Sequence, residues 1–255
     1  MIPFRAFFAS LLIPVGFFAA FPDSPAAAPR LDSWKVIGPG GGGTLYMPTI
    51  SPHDPNTVLA TCDMTGAYIS HDGGTSWRNF NLRGTVSFLL FDPVDPKTIY
   101  VANHSLWRST DSGRTWRLVF PAPRSVKHVL MIDDHAAERY VTSDGRRRRM
   151  TALAVDPADS RTLYAAIEEE RNSTLHVSTD WGATWREAAT LPSRARRLYV
   201  DSRSPRPDRT LYAIGSNSVS VVIRPASLIP VSVIRAIFDI TTQFCYGFVA
   251  RIEFA

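Results

Sequence analysis

An all-β fold assembled from repeated four-stranded units is expected from this sequence. Three observations carry the expectation. An eight-residue pattern of Ser, Asp, Gly and Trp occurs three times, a second pattern built on Asp and Pro precedes each copy, and short apolar stretches flank both. With 19 Pro and 15 Gly the chain is rich in turns, which argues against a helical bundle. Its 255 residues suffice for one all-β domain or two small ones. Hydrophobic residues at 45% and charged residues at 20% exclude general disorder and low complexity.

The first element is a leader. Residues 1–5 carry one positive charge, residues 6–22 carry none, and residues 7–21 are strongly apolar. The triplet Ala26-Ala27-Ala28 then supplies small residues of the kind found at signal cleavage sites. Residues 1–28 are therefore expected to be a signal peptide, and the mature chain secreted or periplasmic. A retained N-terminal anchor is the alternative, although the apolar core is shorter than the about 20 residues of a membrane span. No span is expected after cleavage, because Arg235 and Asp239 interrupt the apolar C-terminal region.

Residues 29–222 are expected to hold the repeats. The eight-residue pattern is S-x-D-x-G-x-[ST]-W, and an Arg follows each Trp. Its copies run Ser70, Asp72, Gly74, Trp77; Ser109, Asp111, Gly113, Trp116; and Ser178, Asp180, Gly182, Trp185. These residue types suit a tight hairpin. Gly tolerates positive φ, Ser and Asp side chains accept hydrogen bonds from turn amides, and Trp offers apolar surface to bury against the sheet. The second pattern starts at Ser51, Asp92 and Asp156, with a looser copy at Asp201. Its Asp-Pro steps mark turns, since Pro cannot continue a paired central strand.

One unit is thus strand, Asp-Pro turn, strand, short loop, strand, Asp-containing hairpin, strand. The four starts lie 41, 64 and 45 residues apart. That period, with four strands per unit, is the period of β-propeller blades. The long second interval implies an insertion of roughly 20 residues around residues 121–150, expected to project as a loop. The fourth unit has no Asp-containing hairpin. Residues 223–255 change composition and hold six of the chain's 15 isoleucines. They are expected to be an atypical apolar tail that leaves the propeller incomplete at the C-terminus, the result of a frameshift or truncation. An authentic tail of two apolar strands is the alternative.

The net charge is +5, and 25 of the 28 basic residues are Arg. The skew fits codon bias in a GC-rich genome. A nucleic-acid partner would need the charge on one face with aromatics between, so none is expected. The dense run Arg146–Arg149 reads first as a solvated loop and second as a patch for an anionic ligand. Cys62 and Cys245 form no metal or disulfide framework, and no cofactor or metal is expected. Asn103-His104-Ser105 and Asn172-Ser173-Thr174 match the glycosylation acceptor pattern, which matters only in a glycosylating host.

The eight-residue copies resemble the Asp-box (BNR) repeat of sialidases, sortilin-type propellers, photosystem II assembly-factor propellers and family 74 glycoside hydrolases. The resemblance covers about residues 33–220 and implies a β-propeller. It also implies that Asp72, Asp111 and Asp180 lie on outer hairpins, in structural roles away from the ligand site. A narrower likeness runs from Trp34 through the glycines at 40–43 to Asp63, Gly66, Ala67 and Tyr68. It is similar to the opening of family 74 enzymes, in which a strand ends in Asp-x-Gly-Gly-Ala-Tyr. The likeness implies Asp63 as base of an inverting hydrolysis and Tyr68 as a ligand contact. Thr65 stands where the family has the first Gly of the pair. Asp63 also reads as a ligand contact without catalysis, or as the cap of a strand-end turn. In that family the general acid comes from a second propeller, so Asp63 here is half of a site or a binding relic. Sialidases fit less well: no Phe-Arg-Ile-Pro segment follows the leader, and no set of three arginines can be selected. The expected function is that of an exported glycosidase-like propeller acting on or binding a polysaccharide or glycan. The alternative is a non-catalytic propeller that binds protein or glycan.

Overall fold

The computed structural model describes residues 37–39, 43–64, 66–133, 137–170, 172–206, 208–215, 219–223 and 234–236. The expected leader and most of the expected tail lie outside these residues. Among the described residues there is no α-helix, and the chain forms four four-stranded antiparallel sheets and one two-stranded hairpin.

The first sheet contains β1 (Leu45–Ile50), β2 (Val58–Cys62), β3 (Ala67–Ser70) and β4 (Arg78–Phe80). The second contains β5 (Phe88–Phe91), β6 (Ile99–Ala102), β7 (Leu106–Ser109) and β8 (Arg117–Phe120). A hairpin follows, β9 (Val126–Met131) with β10 (Glu138–Thr142). The third sheet contains β11 (Arg148–Asp156), β12 (Asp159–Glu169), β13 (Asn172–Ser178) and β14 (Arg186–Leu191). The fourth contains β15 (Arg197–Val200), β16 (Thr210–Ile214), β17 (Val219–Ile223) and β18 (Ile234–Ala236). Each sheet is a meander in which consecutive strands pair, and the first strand of each neighbours the first strand of the next. Face-stacked meanders arranged by their first strands are the architecture of a β-propeller.

Burial explains the strand sequences. A middle sheet is covered on both faces, so its inner strands read as unbroken apolar runs rather than alternating ones. All four residues of β6, Ile99-Tyr100-Val101-Ala102, are buried. Three apolar clusters fill the spaces between sheets. Leu59, Ile69 and Phe80 meet Leu89, Phe91 and Ile99 between the first two. Tyr100, Leu106 and Phe120 meet Met150, Leu153 and Ile167 between the second and third. Tyr164, Leu175 and Val177 meet Leu198, Leu211 and Ala213 between the third and fourth.

The eight-residue pattern forms the turn between the third and fourth strands of the first three sheets. In each copy the Ser hydroxyl donates to Asp Oδ1 at 2.8 Å and accepts the Gly N–H at 2.8 Å. The Asp carboxylate accepts the backbone N–H and the hydroxyl of Ser76, Thr115 or Thr184. The box also joins neighbouring sheets. Trp116 stacks on Phe80 of the first sheet at 4.8 Å, and Trp185 meets Phe120 of the second edge-on at 6.3 Å. Gly182 has φ +87°, and a Cβ there would lie 2.5 Å from Val119 Cγ1 of the preceding sheet.

The Asp-Pro turns tie sheets together at the same edge. His53 Nε2 is 2.8 Å from the Asp92 carbonyl, and the Ser160 hydroxyl donates to Asp92 Oδ1 at 2.7 Å. Arg209 donates from Nε and Nη2 to the two oxygens of buried Asp156, at 2.8 and 3.0 Å.

The insertion differs from the expected loop. Val126–Met131 and Glu138–Thr142 pair as the β9–β10 hairpin, and Arg148 and Arg149 already belong to β11. Its apolar and aromatic residues explain this, since Tyr140 packs on Trp107 at 6.4 Å and Ala137 is buried. In the tail, the backbone of Val219–Ile223 and Ile234–Ala236 completes the fourth sheet, while the other residues after 223 are outside those described.

Candidate functional site on the edge opposite the Asp boxes

Strand direction sorts the loops. Asp-Pro turns and Asp boxes follow the first and third strands of a sheet, so both lie on one edge. The turns after second strands and the links between sheets lie on the other edge. Asp63 is on this second edge, in the turn after β2.

The local sequence dictates how Asp63 is held. Thr44 and Asp63 face each other where the β1–β2 pairing ends. Asp63 N–H donates to the Thr44 carbonyl at 3.2 Å, and Thr44 N–H donates to Asp63 Oδ1 at 2.9 Å. The buried Cys62 thiol is 3.7 Å from the same oxygen. Among the described residues Oδ2 has no hydrogen-bond partner. Gly43, at φ +105°, explains why the glycine run ends there. A Cβ at that position would lie 2.2 Å from Asp63 Oδ1, so only glycine allows the backbone this close. Gly66 closes the turn beside it and bridges to Thr85, whose hydroxyl donates to the Asp63 carbonyl at 3.4 Å.

Tyr68 lies on β3 opposite Ala60 and Asn79. It is half-buried and shares the face of the first sheet turned away from the Leu59–Ile69 core. No hydrogen bond among the described residues joins Tyr68 to Asp63, nor Asp63 to a second carboxylate. The twelve Asp-box residues are on the opposite edge. Asp72 and Asp111 are held at about 2, the first chiefly by the Ser76 hydroxyl and the second by the Thr115 amide. Among the described residues no group of three or more His, Cys, Asp or Glu side chains could hold a metal ion.

The second edge also carries a basic pocket that the sequence pointed to only through the Arg146–Arg149 run. Five arginines (Arg139, Arg147, Arg148, Arg149 and Arg194), two glutamates (Glu168 and Glu170) and His104 line a cavity of about 320 Å³. The blade pattern brings them together. His104 is in the turn after the second sheet's second strand, Glu168 is near the end of the third sheet's second strand with Glu170 in the turn after it, and Arg194 is in the following link. Arg139 comes from the inserted hairpin, which is fastened by an Arg83–Glu138 ion pair of 2.6 Å. Arg149 sits across from Glu168 in the β11–β12 register. Asn103, beside His104, is buried, and its amide donates to the Leu82 carbonyl at 2.6 Å. The Asn103 side chain is thus packed away in the folded chain.

Stacked four-stranded meanders joined through their first strands define a β-propeller. Comparison with known proteins makes the likeness particular. A xyloglucanase of Paenibacillus sp. is 30% identical over 207 residues, which is 72% of this chain and 18% of that protein. Xyloglucanase Xgh74A of Acetivibrio thermocellus is 27% identical over 216 residues, 76% of this chain and 23% of its own. Among solved structures, an ancestral family 74 glycoside hydrolase matches with TM-score 0.53 and 20% identity, over 74% of this chain and 24% of that one. The chain spans about a fifth of the length of these relatives. No family model matches it. The chain is a β-propeller similar to those of glycoside hydrolase family 74. No helix among the described residues is long and apolar enough to cross a membrane.

Proposed function

We propose that this propeller is exported and engages a xyloglucan-type polysaccharide along the edge that carries Asp63. Asp63 is the candidate general base and Tyr68 a ligand contact. One observation carries the reading: a carboxylate is anchored through Oδ1 to the Thr44 amide and approached by Gly43, and among the described residues no hydrogen bond engages Oδ2, the oxygen that would take a proton from water. The xyloglucanase relatives support the substrate class. Inverting hydrolysis requires a general acid about 6.5–9.5 Å from the base, with water between. Turnover therefore depends on a second carboxylate brought to the cleft. The Arg-lined pocket on the same edge favours a second reading, a non-catalytic binder of glycan or protein.

The test measures both binding of a xyloglucan oligosaccharide and release of reducing ends. Under the first reading Asp63→Asn lowers turnover by about 10²–10⁴ while binding persists. Binding without turnover in the unaltered chain supports the second reading. Absence of binding by the unaltered chain overturns the carbohydrate assignment.

A further inference from the structure

The basic pocket has no part in the Asp63 chemistry, yet its arrangement is that of a built site. Three guanidinium groups converge on it from separate elements: Arg139 on the hairpin, Arg149 on β11 and Arg194 in the link before β15. Of these three, Arg194 pairs with Glu168 at 3.4 Å, while Arg148, which also lines the pocket, is taken up by Asp144 at 2.7 Å and Glu169 at 3.1 Å. Among the described residues no ion pair joins Arg139 or Arg149. Arg149 Nε is buried without a hydrogen-bond partner, a donor that costs free energy until something accepts from it. Burial, then Arg194 and Arg139, push the Arg149 guanidinium below its ordinary value. Glu168 offsets part of this repulsion among the arginines. His104, at the pocket wall, has φ +98°, a conformation rare for a side-chain-bearing residue. Burial and the nearby Arg149 hold its imidazole toward the neutral form, so it can both donate and accept.

We propose that Arg139, Arg149 and Arg194 bind the carboxylate of an acidic saccharide, a uronate-bearing glycan. The proposal rests on the reading of this edge as a saccharide-binding surface. Guanidinium groups match a planar carboxylate in a two-bond fork. Glu168 and Glu170 decide between anions. They repel a phosphate or sulfate dianion, whereas they accept hydrogen bonds from the hydroxyls of a singly charged sugar. The cavity, about 320 Å³, is at the small end of the range for ligand pockets and suits a short stretch of glycan.

The test titrates the full chain with trigalacturonate, the matching neutral galactose trisaccharide, and inorganic sulfate. The acidic trisaccharide should bind about tenfold or more tightly than the neutral one. Arg149→Ala should remove that preference, and Arg149→Lys should restore only part of it, since Lys lacks the fork. Exposed Arg194→Gln serves as a second variant, expected to fold normally and to weaken trigalacturonate alone. Equal affinity for the acidic and neutral sugars overturns the proposal. So does sulfate competing as well as trigalacturonate, or affinity unchanged in both Arg variants. Xyloglucan oligosaccharide binding, measured on the same samples and on Asp63→Ala, fails or succeeds separately, which separates this proposal from the Asp63 reading.

Discussion

Each Asp box works through a few hydrogen bonds whose loss can be read in stability. Ser109 is buried, and its oxygen accepts the Gly113 and Asp111 amides at 2.8 and 3.3 Å. Ser109→Ala leaves those donors unmet and should cost about 1–3 kcal/mol in urea unfolding. Acid should act through the same turns. Asp72 and Asp111 titrate at about 2 when folded, against an ordinary 3.8. The unfolded chain therefore binds more protons between about pH 4 and pH 2. Their stabilisation is complete above that window and is lost as pH falls through it. A midpoint of denaturation that holds constant from pH 5 to pH 2 would contradict this. These residues were legible in the sequence because their roles are local: a serine, an aspartate and a threonine within seven positions bond to one another. The pocket arginines were not, because nothing within a few residues of Arg139, Arg149 or Arg194 marks them as neighbours.

At the scale of elements, the boxes and Asp-Pro turns join sheets, and this was only half visible. The sequence suggested that each Trp buries against a sheet. For Trp116 and Trp185 the structure makes it the preceding sheet, so these two copies are inter-sheet joints as well as turns. Gly182→Ala should be costly by about 1–3 kcal/mol, since the new Cβ meets Val119 at 2.5 Å and φ is +87°. Arg209 lies just beyond the start of the looser fourth copy at Asp201, which did not mark it, yet it forms the bidentate pair with buried Asp156 across sheets. Arg209→Ala should cost about 3 kcal/mol, since it leaves the buried carboxylate only the Ala158 amide at 2.8 Å and Arg206 at 3.9 Å. Replacing both partners with apolar residues should cost much less, as a double-mutant cycle would report. The inserted segment was misread as a loop because Pro121, Pro123 and Arg146–Arg149 dominate its ends. The strand signal of Val126–Met131 and Glu138–Thr142 is short and mixed with charge.

For the whole molecule, repeat spacing made the propeller legible, because the period sets the strand count of each unit regardless of packing detail. The division of the two edges by strand direction also follows from the repeat, and it places Asp63 away from every Asp box. The meeting of hairpin, β11 and the β14–β15 link in one basic pocket depends on how sheets stack, which no single unit encodes. The most direct test of the account is hydrogen exchange of the chain with and without a xyloglucan oligosaccharide. Protection should appear at residues 43–46, 61–68 and 83–88, with the turns at 70–77, 109–116 and 178–185 unchanged. Protection confined to those box turns, with none around Asp63, would contradict it.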